Sequence, residues 1–326
     1  MRHRLAASVL GVLFGAGYGN ACAQGAAETA FPAKAVRIVV AFSPGGSLDL
    51  LARTTAQRLG DAWKQPVVVD NRPGAGGLTG SEFVAKVAPD GYTLMMAGAS
   101  NLVNTVLFPK APDFGRDFTP IQLLVSNPYL LAVHTSLPVR TVGDLVTLAR
   151  RRPGELTFAS SGPGSLPQLA GELFVHMTKT RMVHVPYRGG APALVDLMAG
   201  RADLMFNALP LMFPQVKAGR VRAVAVTTLR RSSALPEVPT IDESGVRGYD
   251  VNGWYGLVAP VRTAAAIAQQ INRDILQYVL TPEYRERLKG EGSEPVGSTS
   301  EQFATLIRND LAKWRTVVDA ARIIAE

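Results

Sequence analysis

Between Val36 and Thr227, short apolar runs alternate with amphipathic segments, and this alternation limits the available folds more than any other feature. Val36–Phe42, Val67–Asp70, Thr93–Gly98, Leu156–Ser160, Met182–Val185, Asp203–Asn207 and Val221–Thr227 read as buried strands rich in Val, Leu and Met. Ser47–Leu59, Gly80–Val87, Thr141–Arg151, Leu166–Met177, Ala191–Met198 and Pro210–Ala218 carry the helical period between them. Thr141 and Asp144 form a helix-start pair, and Pro153-Gly154 stops that helix. Strand and helix in strict alternation predict an α/β fold with mostly parallel sheets.

After Trp254–Ala259 the character changes, because Ala264–Val279, Pro282–Lys289 and Ser300–Ile324 are helical without intervening strands. Such helices cannot build another α/β unit and are expected to return to the first domain. A chain of 326 residues also exceeds what one core usually organises. We therefore expect two α/β lobes. Residues 31–133 and 252–326 form the first and 134–251 the second, with crossings near Val133-His134 and Val251-Asn252. No internal repeat or low-complexity segment interrupts this order.

The first residues predict export. Arg2, His3 and Arg4 precede an apolar run from Leu5 to Phe14, broken by Ser8, and Ala21-Cys22-Ala23 supplies the small-x-small pattern before a cut ahead of Gln24. Residues 1–23 read as a cleaved signal peptide, so the mature chain is expected outside the cytoplasm. Gly19 stands where a lipoprotein signal needs an aliphatic residue, so lipidation is not expected. Loss of the leader removes the chain's one cysteine, and with it disulfide and thiol chemistry. The formal charge of +8 falls by the two arginines of the leader, and the remaining cations are scattered. Arg150-Arg151-Arg152, the densest group, suits a helix C-terminus. No aromatic platform or recognition motif accompanies it, which argues against nucleic acid.

Two stretches carry the chemistry: Ser43-Pro44-Gly45-Gly46-Ser47-Leu48-Asp49 and Ser160-Ser161-Gly162-Pro163-Gly164-Ser165. Each follows a strand and opens a helix. The first N–H groups of a helix have no intrahelical partner, and its dipole favours negative charge there. Two such cradles, far apart in sequence, suggest two lobes closing on one small anion. Neither contains Lys or Arg, so neutral dipoles would hold the charge.

Other chemistries find less support. His134, His176 and His184 have no metal-ligand spacing, and no cofactor pattern is present. Gly45-Gly46-Ser47-Leu48-Asp49 approaches the nucleophile elbow but ends in Asp rather than Gly. The alternative of an exported α/β serine hydrolase using Ser47 or Ser165 would need a base beside the serine. Gly74-Ala75-Gly76-Gly77-Leu78-Thr79-Gly80 has the wrong spacing for a dinucleotide loop and reads as a tight glycine turn before a helix.

Ile38–Asp49, Val69–Gly77, Ala88-Pro89-Asp90-Gly91-Tyr92-Thr93-Leu94, Val185-Pro186-Tyr187-Arg188-Gly189, Leu235–Thr240 and Trp254-Tyr255-Gly256 together resemble the Bug family. These are the substrate-binding receptors of tripartite tricarboxylate transporters. The resemblance runs in order from about Phe31 to Trp314. It implies a type II periplasmic binding protein, with two α/β lobes, a two-crossing hinge, no cofactor and no catalysis. It implies a ligand among small carboxylates: di- and tricarboxylates, acidic amino acids or aromatic acids. The partners implied are membrane transporter subunits or a sensor domain, with the receptor itself a monomer.

By the same resemblance, Phe42, Ser43, Gly46 and Ser47 of the first loop face the ligand, as do Ser160, Ser161, Gly162, Gly164 and Ser165 of the second. Gly98, Ser100 and Asn207 line the remaining wall. Asp49 either stabilises its helix or meets a ligand ammonium, and Arg188 either reaches a second carboxylate or sits on the surface. Gln168 stands where the family commonly has His, and Pro163 removes one cradle donor.

Overall fold

The predicted βα units form close to their expected positions. In the computed structural model, which describes residues 31–321 and Ile323, strand β1 (Val36–Val40) leads into α1 (Ser47–Trp63) and β2 (Val67–Asn71). A 3-10 turn at Ala75–Gly77 then opens α2 (Leu78–Lys86), which runs into β3 (Thr93–Gly98). The expected leader lies outside the described residues. Both β2 and β3 pair parallel to β1, whose Ile38, Val39 and Val40 are fully buried.

Two elements follow that the periodicity did not reveal, α3 (Ala99–Leu107) and the long strand β4 (Phe118–His134). Then come α4 (Val142–Arg151), β5 (Thr157–Ser160), α5 (Leu166–Thr178), β6 (Val183–Pro186), α6 (Gly190–Met198), β7 (Leu204–Ala208), α7 (Leu209–Lys217) and β8 (Val221–Val226). The chain closes with β9 (Asn252–Pro260), α8 (Ala265–Val279), α9 (Pro282–Gly290), the short β10 (Glu294–Pro295) and α10 (Ser300–Ala321). Helix α4 starts with the expected reciprocal cap: the Asp144 amide donates to Thr141 Oγ1 at 3.1 Å and the Thr141 amide to Asp144 Oδ2 at 3.0 Å.

The strands run in the order β2-β1-β3-β9-β4-β7-β5-β6. The outer groups are parallel, as the alternation predicts, but the centre is antiparallel: β3 with β9, β9 with β4, and β4 with β7 and β8. A parallel neighbour requires a crossover helix. Strand β9 arrives from the far side of the sheet without one, and so runs against β3. Strand β4 serves both sides. Its residues Phe118 to Pro128 pair with β9, and Tyr129 to His134 pair with β7 and β8.

The C-terminal helices settle on the β1–β3 side. Trp63 Nε1 donates to Asp274 of α8, Asn272 Nδ2 to the Ile121 carbonyl, and Trp254 Nε1 to Asp310 of α10. Trp314 and Phe303 of α10 are buried there. Among the described residues no helix is long and apolar enough to cross a membrane.

Candidate ligand-binding site

The C-terminal ends of the parallel strands face a common crevice, and α1, α3, α5, α6 and α7 all begin beside it. A small cavity of about 40 Å³ lies there, lined by Gly46 before α1 and Ser47 and Leu48 of α1, Gly98 of β3 and Ser100 of α3, Pro167 of α5, Gly190 of α6, Asn207 of β7 and Leu211 of α7. Phe42, Tyr129, Ser161 and Tyr255 complete the wall. No charged side chain is among them. The positive ends of several helix dipoles therefore converge on one point with no fixed cation. Among the described residues, no protein acceptor takes the Ser47 or Leu48 amides of α1. Ser47 Oγ is buried without a partner.

The Phe42–Asp49 loop is shaped from beneath. The Gly45 amide and Arg53 Nε each donate to Asp49 Oδ2 at 2.9 Å, and Asn71 Nδ2 donates to Asp49 Oδ1 at 2.9 Å and to the Phe42 carbonyl at 3.1 Å. Burial alone would raise the Asp49 pKa, but these bonds outweigh it and hold the carboxyl below its ordinary value. Asp49 is 2% exposed and faces these donors rather than the cavity. It is placed to fix the loop's shape.

The Ser160–Ser165 loop uses most of its own donors. The Gly162 amide donates to Ser160 Oγ at 3.1 Å, the Ser165 amide to the Gly162 carbonyl at 3.1 Å, and the Gly164 amide to Gln168 Oε1 at 2.7 Å. Gln168 thus occupies a cradle donor. Ser160 Oγ also shares a 2.6 Å hydrogen bond with His184 Nε2, and Ser165 Oγ is buried without a partner. Of this loop Ser161 reaches the cavity, where Asn207 Nδ2 donates to its Oγ at 3.3 Å. Ser160, Gly162, Gly164 and Ser165 stand behind it.

The two sides of the crevice touch. Ser43 Oγ donates to the Arg188 carbonyl at 2.6 Å, and the Leu166 amide donates to Ser100 Oγ at 3.0 Å. Arg188 contributes this carbonyl, while its side chain is exposed and outside the cavity lining. Below them, Gly76 packs so tightly against the second loop that a Cβ there would lie 1.8 Å from the Pro163 carbonyl oxygen. Asn101 and Asn104 of α3 hold this glycine turn through the carbonyls of Gly77 and Gly76, each at 3.3 Å.

Tyr129 and Tyr255, absent from the sequence expectation, supply two hydroxyls. Burial holds the Tyr129 pKa well above the ordinary value, and burial likewise pushes Tyr255 up to about 12 beside Ser47 and Tyr129. Both therefore stay protonated and can donate to an anion. Tyr255 was legible as part of Trp254-Tyr255-Gly256, whereas Tyr129 lies in the unrecognised β4.

A hydrolase is poorly served. Neither Ser47 Oγ nor Ser165 Oγ has a base within hydrogen-bond reach, and the Ser160–His184 pair is shut away with Ser160 fully buried. Among the described residues no group of His, Cys, Asp and Glu is arranged to hold a metal.

An α/β sheet that presents helix N-termini to one crevice at the boundary of two strand groups defines the class: a periplasmic binding protein. A family model, the tripartite tricarboxylate transporter family receptor, matches residues 51–323, and the chain belongs to that family. A protein of Pseudomonas sp. strain P51, "UPF0065 protein in tcbD-tcbE intergenic region", is 37% identical over 91% of this chain and 89% of its own. Protein BugT of Bordetella pertussis is 34% identical over 88% and 89%. Among solved structures, R. palustris Rpa4515 with adipate superposes with a TM-score of 0.87 at 37% identity, covering 90% of this chain and 99% of that one. MatC from Rhodopseudomonas palustris with bound malate gives 0.85 at 30% identity, covering 88% and 100%. The family is one of solute-binding receptors, not of enzymes.

Proposed function

We propose that this chain is exported through cleavage of residues 1–23, captures a small carboxylate in the periplasm, and presents it to transporter subunits in the membrane or to a sensor domain. The carrying observation is the cavity itself. The unpaired amides at the α1 N-terminus, the buried Ser47 hydroxyl and two tyrosines whose burial favours the protonated form surround a space without a cation. That is a site for a small anion. Hydrogen bonds to a charged group contribute about 1.5–3 kcal/mol each, so a few suffice for micromolar affinity after ordering costs. Adipate and malate, bound by the two similar receptors, belong to this chemical class.

Capture works by closure in this proposal. The lobes are the β1–β3 side with β9, β10 and α8–α10, and the β5–β8 side. We place their crossings at Pro128-Tyr129, where β4 changes partners, and at Val251-Asn252. A ligand that touches both α1 and α7 favours the closed state, and the difference in contacts sets the shift.

The test is thermal unfolding of the protein, stripped by denaturing and refolding, against a panel of carboxylates, amino acids and neutral amides. A ligand at about 100 times its Kd adds roughly 2.7 kcal/mol, which raises the Tm by several degrees. Shifts confined to carboxylates support the proposal, and a refolded protein that responds to none of them refutes it.

A further inference from the structure

We propose that Thr227 is the pivot of the capture movement: it joins the two crossings between the strand groups and sets how readily they close, without touching the ligand. This role rests on the closure reading above and adds to it the residue that governs closure.

The two crossings part at a fork. Strands β4 and β9 pair side by side as far as Asn127 with Gly253 and Pro128 with Asn252. One residue further on they separate, and Thr227, immediately after β8, fills the gap between Tyr129 and Val251. Its backbone bonds to each: the Thr227 amide donates to the Tyr129 carbonyl at 2.9 Å, and the Val251 amide donates to the Thr227 carbonyl at 2.9 Å. Its hydroxyl spans the fork again. Thr227 Oγ1 accepts from the Tyr129 amide at 3.1 Å and lies 2.6 Å from the Val251 carbonyl and 3.1 Å from the Tyr129 carbonyl. A hydroxyl has one proton to donate, and the shorter contact gives it to Val251. The side chain therefore accepts a hydrogen bond from one crossing and donates one to the other.

Burial gives these bonds their weight. Thr227 and Val251 are fully buried and Tyr129 nearly so, and water does not replace a bond that rotation breaks there. A turn of one strand group against the other changes the angle between Tyr129 and Val251, and Thr227 is bonded to both arms of that angle. In this structure the Ser43–Arg188 and Leu166–Ser100 bonds bridge the crevice, and the fork is fully bonded. The Thr227 hydroxyl thus favours the closed state over one in which the fork is splayed. The fork also reaches the ligand. The Tyr129 ring lies against Gly253 of β9, where a Cβ would come within 2.4 Å of Tyr129 Cε1, and Tyr129 lines the cavity. An anion drawn to the Tyr129 hydroxyl pulls on the fork, whereas Thr227 is no part of the cavity wall.

Titration calorimetry of the refolded protein with malate, adipate and benzoate tests this. Thr227→Val keeps the side chain's shape and the backbone bonds and loses the hydroxyl. It should weaken every acid that the unaltered protein binds by one common factor of about tenfold, because apparent affinity scales with the closed fraction. Thr227→Ser should bind within about threefold of the unaltered protein. Thr227→Cys, a weaker donor and acceptor, should fall between them, and it carries the comparison if the valine variant does not refold. A lower Tm with unchanged affinities would make Thr227 a structural residue and overturn the inference. Unequal changes among the acids would overturn it too, since they place the effect in the cavity. Both outcomes leave the carboxylate reading standing. Binding of none of the acids by the unaltered protein overturns that reading alone. The pivot is then read from hydrogen exchange at the Leu166 amide, which bonds across the crevice. Exchange there should quicken about tenfold in Thr227→Val, and an unchanged rate overturns the pivot.

Discussion

The Leu166 amide donates to the Ser100 hydroxyl at 3.0 Å, joining the N-terminus of α5 to that of α3 across the crevice. An amide freed by a helix start is thereby held by the opposite strand group. Ser100 Oγ accepts this bond and keeps its own proton to donate, and it lies on the cavity wall beside Tyr129. Under the proposed function this one hydroxyl would link closure to anion binding.

Ser100→Ala removes both roles. Carboxylate affinity should fall about tenfold or more, given about 1–3 kcal/mol for a hydrogen bond to a charge and an amide left bare. The Tm of the ligand-free protein should also drop, since the buried Leu166 amide loses its acceptor. Calorimetry alongside thermal unfolding checks it, and unchanged affinity would remove Ser100 from the site.

Ser47→Ala should instead separate stability from binding. The Ser47 hydroxyl is buried without a protein partner, and such a group costs about 1–3 kcal/mol. Its removal should raise the ligand-free Tm or leave it unchanged, while carboxylate affinity falls. A variant that melts earlier and binds as before would show that Ser47 is only a structural residue.

Much of this site was legible because backbone chemistry writes itself in glycine and serine. The Ser43–Asp49 and Ser160–Ser165 loops stood between strand and helix patterns, and the structure places both at the crevice. Strand β4 was hidden because Pro120, Ser126, Asn127 and Pro128 interrupt its apolar run, and an edge-to-edge strand with two sets of partners has no single buried face to repeat. Helix α3 was hidden because its buried polar residues, Asn101 and Asn104, serve the Gly76–Gly77 turn rather than solvent. Arg188 and Asp49 illustrate what a sequence leaves open. Charge and position allowed either residue to meet a ligand, whereas a carbonyl contact and three donors to one carboxylate are settled by the fold.

Gly76→Ala should block closure. Gly76 has φ of 59°, and an added Cβ would lie 1.8 Å from the Pro163 carbonyl oxygen, a contact with backbone that cannot yield like a side chain. The positive φ alone costs roughly 1 kcal/mol in stability. The clash falls between the loops, so the variant should fold, lose carboxylate affinity by about a hundredfold or more, and stay expanded in small-angle scattering when ligand is added. Ligand-induced compaction equal to that of the unaltered protein would refute the clash as a barrier to closure.

His184 should make stability depend on pH from its place behind the second loop. It stacks on Phe158 with ring centroids 5.0 Å apart and shares the hydrogen bond with Ser160. Burial lowers its pKa to about 4 from an ordinary 6.5. Above about 6.5 the ring is neutral in both folded and unfolded chains and contributes no pH dependence. Below that, the unfolded chain takes a proton that the folded one refuses, so stability falls as pH drops from about 6.5 to about 4. The ring is partly open to solvent, so the loss stays under the roughly 1.4 kcal/mol per pH unit of full linkage for one proton. His184→Gln can keep a hydrogen bond to Ser160 without titrating. Melting curves of both proteins between pH 7 and pH 4.5 carry the same carboxylate contributions, which cancel in the difference. The unaltered protein should lose more Tm than the variant over that range, and parallel curves would mean that His184 titrates as an ordinary exposed histidine.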